Sequence, residues 1–236
     1  LLDVNSAKGI VNAHEFQQYI SQWAELLNQP IPKIRRLSFD IEVEAEIGRI
    51  PDPKIAEKRV TAVGFEGSDG LKQIFVLRKD GSNDGKNDLP EGVKATFYAQ
   101  NDEKKMIEDA FKTISDYPFV ITFNGDDFDM PYLYNRAERL GIKNSENPLY
   151  MMRDSATLKH GVHIDLYRTM SNRSFQIYAF SHKYTDFSLN SVSKALLNEA
   201  KLDYGVELND LTNYQLASYC YNDSRLTYKL TSFNND

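Results

Sequence analysis

With 236 residues, 41% of them apolar, the chain is long enough to bury one sizeable core and too balanced in charge to be disordered, so a single domain is expected. A net charge of −6 argues against a broad basic face for duplex binding, and the single cysteine, Cys220, excludes an internal disulfide framework or a Cys-rich zinc site. No apolar run reaches the roughly 20 residues of a membrane helix and no signal-peptide pattern opens the chain, so it reads as soluble and intracellular, and its start at Leu1 reads as that of a fragment.

In chain order, Phe16, Ile20, Trp23 and Leu27 recur at helical spacing over Glu15 to Leu27, and Pro30 and Pro32 end that helix. Arg36 to Val43 alternates strictly, with Leu37, Phe39, Ile41 and Val43 apolar, as a half-buried strand does. Strands are expected at Val60 to Phe65 and Gln73 to Leu77, followed by a polar loop from Lys79 to Gly92. Tyr98 and Asp102 straddle a strand-to-helix junction, and the helix from Asp102 to Tyr117 leads to a buried strand at Phe119 to Phe123. The next helix has Pro131 in its first turn and Gly141 past its end. Tyr150 to Asp165 suits a hairpin, Ser188 opens a helix, and Thr212 with Gln215 forms a capping-box start to a last helix running to about Phe233. The order suggests an α/β domain with a mixed sheet.

Three carboxylate groups stand out. On a strand Asp40 and Glu42 share a face, with Cα atoms about 7 Å apart, so both can reach one cation or a pair. Alone, Asp-x-Glu is expected about once by chance and suits a solvated strand face equally. Asn124-Gly125-Asp126-Asp127-Phe128-Asp129 lies between a buried strand and a helix start, where α/β folds place active groups, although Asp129 could simply cap that helix. Its Asn-x-x-x-Phe-Asp spacing is expected only about 0.08 times by chance. Tyr219 and Asp223 lie one helical turn apart and could share a water.

Together Phe39-Asp40-Ile41-Glu42, Asn124 to Asp129 and Tyr219 to Asp223 resemble the three exonuclease motifs of family B DNA polymerases, within the DEDD exonuclease superfamily. Ile164-Asp165-Leu166-Tyr167, Ser188-Leu189-Asn190-Ser191-Val192 and Lys201-Leu202-Asp203-Tyr204 extend the resemblance, which covers residues 34 to 233 and is closest to archaeal members.

The resemblance implies a ribonuclease H-like fold: a mixed central sheet flanked by helices, with an inserted β-hairpin, over residues 34–236, and a flanking segment of the parent polymerase over 1–33. It implies a proofreading 3′→5′ exonuclease that hydrolyses the terminal phosphodiester of frayed or single-stranded DNA. Asp40, Glu42, Asp129 and Asp223 would hold two divalent ions, Mg²⁺ or Mn²⁺, and Tyr219 would orient the attacking water. Ser218 where another branch carries histidine places the chain in the tyrosine branch. Asn124, Phe128, Ser188 and Leu189 would grip the 3′ end and Lys201 a phosphate. Ile50, before Pro51-Asp52-Pro53, stands where some phage members carry an aromatic wedge. Phe128 and Leu189 as core, Ser188 as an N-cap and Lys201 as a surface cation are the ordinary alternatives.

His163 and Asp165 could pair on a metal, but a core or supporting role is the simpler expectation. The family's palm motifs are absent, so primer extension is not expected of this stretch. An RNA-trimming exonuclease and a catalytically inactive relative remain as rivals. A monomer, no membrane contact, the other domains of the parent polymerase as partners and a cytoplasmic, nucleoid-associated location complete the reading.

Overall fold

A computed structural model describes residues 13–29, 33–46, 48–79, 81, 83–153 and 155–232. Two compact units divide between Ile34 and Arg35. The first carries helix α1 (Ala13–Leu27), two residues longer at its start than the periodicity suggested. Pro30 and Pro32, expected to end it, lie outside the described residues.

The second unit is built on a mixed sheet, as expected. Its strands are β1 (Arg36–Val43), β2 (Val60–Gly67), β3 (Lys72–Leu77), β4 (Lys94–Tyr98), β5 (Phe119–Thr122) and β8 (Val162–Asp165), in the spatial order β4-β3-β2-β1-β5-β8. The β1–β2 and β2–β3 pairs are antiparallel, whereas β3–β4, β1–β5 and β5–β8 are parallel. Parallel pairs need crossovers, which helices α2 (Glu103–Ser115) and α3 (Asp129–Arg139) help to supply.

The alternation of β1 decides what lies on each side. Leu37, Phe39, Ile41 and Val43 are buried and pack with Val63, Phe65 and Phe75 against Met106, Phe111, Met130 and Tyr132 of α2 and α3. Ser38, Asp40 and Glu42 look the other way. There helix α6 (Asn213–Lys229) lies across the sheet, with Leu216, Ala217, Cys220 and Tyr221 packed on Ala62, Ile74 and Val76. The hydroxyl of Ser38 donates to the carbonyl of Ser224 at 2.8 Å and pins α6 to β1.

Local chemistry sets the ends of these elements. The capping box of α6 forms as expected, since Thr212 accepts from the Gln215 N–H while Gln215 accepts from the Thr212 N–H. The helix stops at Lys229, short of the expected Phe233, which lies outside the described residues. Thr231 turns its N–H and hydroxyl back to the Tyr228 carbonyl, and the same hydroxyl accepts from Arg36 at 2.8 Å.

The hairpin is smaller than expected. Strands β6 (Leu149–Met151) and β7 (Ala156–Leu158) form an antiparallel ribbon, while residues 162–165 join the main sheet as β8. Gly161, at φ +108°, makes that turn, and the next N–H, of Val162, donates to the Pro118 carbonyl at 2.8 Å. Helix α4 (Leu166–Met170) follows β8, then a π-helical turn (Phe175–Ala179) and helix α5 (Leu189–Leu197). Ser188 caps α5 by accepting from the Ser191 N–H.

Candidate metal centre

The sheet and α6 converge on a set of acidic side chains. Asp40 and Glu42 rise from the same face of β1, and Asp223 descends from α6. One oxygen of each lies within 4.8 Å of the others. Asp223 is buried; its Oδ2 accepts from Lys201 Nζ at 2.5 Å, and its Oδ1 is buried without a hydrogen-bond partner among the described residues. Such an orphaned carboxylate oxygen costs free energy unless something fills the gap. Lys201 also lies over the Tyr219 ring, 5.3 Å from its centroid.

Asp129 approaches from the opposite layer. It is the first residue of α3, behind Phe128 as N-cap, and its Oδ1 accepts from the Ile41 N–H, midway between Asp40 and Glu42, at 3.1 Å. It therefore touches the β1 segment but stands outside the tight group of three.

Four carboxylates and one lysine leave the centre short of positive charge. Burial and then the charges of Asp129, Asp223 and Glu42 hold the Asp40 carboxyl well above the usual range. Burial and then Asp223 push Glu42 up to about 8, and burial lifts Asp129 to about 7 against the opposing Ile41 N–H bond. Burial also raises Asp223, partly offset by Lys201. For Lys201 burial works the other way, but Asp223 and Asp40 outweigh it and keep the ammonium charged. The side chains fit hard divalent cations: oxygen donors, excess negative charge and one unpartnered oxygen.

A pH dependence follows. Between about pH 4.5 and 8 the folded chain retains protons on Glu42 and Asp129 that the unfolded chain has released, so stability falls as pH rises through this window. Melting of metal-free protein should drop in temperature across it. Added Mn²⁺ should raise the melting temperature most at the alkaline end. A metal-free melting temperature that climbs with pH there would contradict the arrangement.

A cleft of about 330 Å³ opens beside these groups, lined by Asp40, Asp223, Lys201, Asn124, Ser188 and Leu189 together with the aromatic pair Phe123 and Tyr167. The rings of that pair lie 6.1 Å apart, edge to face. Leu189 is buried among core residues, and Ser188 is exposed, with its hydroxyl donating to Asp186. Phe128 is half-buried against Tyr132. Ile50 is 88% exposed and lines a different, smaller groove with Arg49, Pro51 and Ile55, so it is not brought to the cleft.

Two of the cleft residues carry no individual role in the expectations above: Phe123 reads as the end of a buried strand, and Tyr167 as part of a motif. The Asp165 carboxylate accepts from the N–H groups of Asn124, Asp126 and Tyr167, and Asn124 beside it sits at φ +67°. The two ring nitrogens of His163 face Thr122 Oγ1 at 2.8 Å and Asp126 at 3.3 Å. Ser218 and Tyr204 both donate to Asp88, tying the polar loop to α6 and to the segment that carries Lys201.

Residues 6–192 match the family described as DNA polymerase family B, exonuclease domain. The chain is 38% identical over 231 residues to DNA polymerase 1 of Sulfolobus acidocaldarius, covering 97% of this chain and 26% of that protein. It is 38% identical over 222 residues to DNA polymerase 1 of Saccharolobus solfataricus, 93% of this chain and 25% of that protein. With a DNA polymerase of Methanocaldococcus jannaschii it shares 28% identity over 212 residues, 86% of this chain and 12% of that protein. The chain thus spans about a quarter of the length of the first two relatives.

Proposed function

Because this chain belongs to the exonuclease domains of family B DNA polymerases, we propose that it removes nucleotides from the 3′ end of frayed or single-stranded DNA in a reaction dependent on divalent metal. The observation that carries this reading is the cluster of Asp40, Glu42 and Asp223, one oxygen of each within 4.8 Å of the others, with Asp223 Oδ1 buried and unpartnered among the described residues. Asp40, Glu42 and Asp223, with Asp129 beside them, would hold two divalent ions, Mg²⁺ or Mn²⁺, which when bound would supply a hydroxide near neutral pH and a counter-charge for the leaving 3′ oxygen.

The chain's own groups do the rest. Burial raises the Tyr219 phenol against the opposing charge of Lys201, with Glu42 and Asp223 adding to the rise, so its hydroxyl stays protonated and can hold and orient the attacking water. Lys201 steadies Asp223 and reaches a backbone phosphate from the cleft wall. Asn124 and Leu189 line the path of the 3′ end, with Phe128 supporting it; bases stack on apolar and aromatic walls without being read. The Ser188 hydroxyl already serves Asp186, so any nucleotide contact competes with that bond. Ile50 has no part at this cleft.

Residues 34–236 form the exonuclease domain of a longer DNA-directed DNA polymerase, whose other domains supply the duplex grip. The protein works as a monomer in the archaeal cytoplasm on nucleoid DNA. None of the helices among the described residues is long and apolar enough to cross a membrane. A 5′-labelled DNA strand should shorten stepwise from its 3′ end in Mg²⁺ and remain whole with chelator. Metal-independent cleavage would remove the mechanism, and RNA degraded as fast as DNA would favour the RNA-trimming alternative.

The β6–β7 ribbon separates primer from template in this reading. Deleting its tip, Arg153 to Ala156, should slow digestion of a fully paired 3′ end by about tenfold, the equivalent of about 1.4 kcal/mol in the barrier, while sparing a single strand. Equal loss on both substrates would count against that role.

A further inference from the structure

The geometry points to Gly64 as a positioning residue that sets the distance between the two halves of the metal centre, an inference that rests on the metal-dependent reading above. One half, Asp40 and Glu42, belongs to β1, and the other, Tyr219 and Asp223, belongs to α6. Gly64 of β2 stands directly opposite Asp40 in the β1–β2 register, on the sheet face that α6 covers.

A Cβ at Gly64 would lie 2.6 Å from Ser224 Oγ, 3.0 Å from the Cys220 carbonyl oxygen and 3.1 Å from Tyr221 Cα. The last two are helix backbone and cannot rotate aside. Ordinary carbon contacts need about 3.5–4.0 Å, so any side chain at this position would push α6 off the sheet by several tenths of an ångström. The contact also falls at the centre itself. Cys220 and Ser224 flank Tyr219 and Asp223 in the chain, and Cys220 Sγ lies 3.5 Å from the Asp40 carbonyl oxygen.

Gly64 has no positive φ among the described residues, so no backbone need explains a glycine there. Glycine inside a strand normally weakens it, and close approach of another backbone is the usual compensation. A fold tolerates a retreat of this size more easily than an ion does. Metal sites hold their distances to within about 0.2 Å, and Mg²⁺ demands near-ideal octahedral geometry.

The test compares the parent chain with Gly64→Ala, Ser224→Ala and the double variant. Mn²⁺ affinity is measured by titration calorimetry, with kcat and KM on a 5′-labelled single strand and with metal-free melting. Gly64→Ala should weaken Mn²⁺ binding by about 10- to 100-fold and lower kcat to a similar degree, with KM for the strand changed less than about twofold. Ser224→Ala alone should match the parent. The double variant, which loses the 2.6 Å collision but keeps the two backbone contacts, should recover part of the affinity.

If Gly64→Ala binds Mn²⁺ as tightly as the parent, the inference is overturned. Should that variant fail to fold, the double variant decides, and parent-like Mn²⁺ affinity in it overturns the inference as well. A parent chain that neither binds Mn²⁺ nor digests the strand would instead bring down the proposed function.

Discussion

A chain carrying Asp40→Asn should digest a 5′-labelled single strand about 10³-fold more slowly than the parent while melting at no lower temperature. The loss corresponds to about 4 kcal/mol of transition-state stabilisation, the scale expected under the proposed function if Asp40 holds the metal. The stability half follows from the repulsion. In the metal-free chain Asp40 is buried against Asp129, Asp223 and Glu42, with Lys201 offsetting only part of their charge, so a neutral side chain of the same shape removes strain. Asp223→Asn should lose activity similarly, but Lys201 then loses its 2.5 Å partner, so the gain in melting temperature should be smaller. Strand-digestion kinetics and calorimetric melting check both. Activity within about tenfold of the parent would sink the assignment, and inactivity with early melting would mark Asp40 as merely structural.

The second large effect is on stability and arises away from the cleft. Glu103→Ala should destabilise the domain by about 3–5 kcal/mol, because it leaves a buried guanidinium without its counter-charge. Arg136 is 8% exposed and Glu103 4% exposed; their contacts are bidentate, at 2.7 and 2.6 Å. The pair also holds a stretch of backbone. Glu103 accepts from the Val60 N–H at 2.8 Å, and Arg136 donates to the carbonyls of Ala56 and Glu57 at 3.2 and 2.7 Å. Ala56 sits buried at φ +46°, a left-handed conformation that an alanine keeps only when held there. Melting should fall by about 10 °C for a domain of this size. Activity at low temperature should persist, since no carboxylate of the centre moves. Combining Glu103→Ala with Arg136→Met should restore part of the stability, because an apolar pair leaves no lone buried charge. A Glu103→Ala chain that melts like the parent would refute this account.

Nothing in the sequence singles out Glu103 or Arg136, for a simple reason. Each reads as an ordinary charge on a helix, and nothing local reveals that two such charges 33 positions apart will meet in the interior. Lys201 and Asp223 are a similar case: the lysine segment stands out by resemblance, but no local pattern carries its 2.5 Å contact with an aspartate on another element. Val162 to Asp165 alternates as a ribbon strand would, which extends the expected hairpin too far; Gly161, the Pro118 carbonyl and pairing with β5 place it in the main sheet. The sequence extends α6 past its end at Lys229 because no glycine or proline follows there. The turn there depends on Thr231 meeting Arg36, a partner nearly the whole chain away.

What the sequence determined by itself is what short-range geometry encodes. A period of two puts Asp40 and Glu42 on one face of β1 and the core residues on the other, and a period near four puts Tyr219 above Asp223 on α6. These rules act within a few residues, through backbone sterics and hydrogen bonding, and so survive without knowledge of the fold. Tertiary packing decided everything measured between elements: that Asp129 reaches the Ile41 N–H while standing apart from the group of three, that Phe123 and Tyr167 wall the cleft, that Ile50 does not, and that α6 comes close enough for Asp223 to join Asp40. Those distances are set by volumes and contacts summed over many residues, down to a missing Cβ at Gly64, and no local pattern carries that sum.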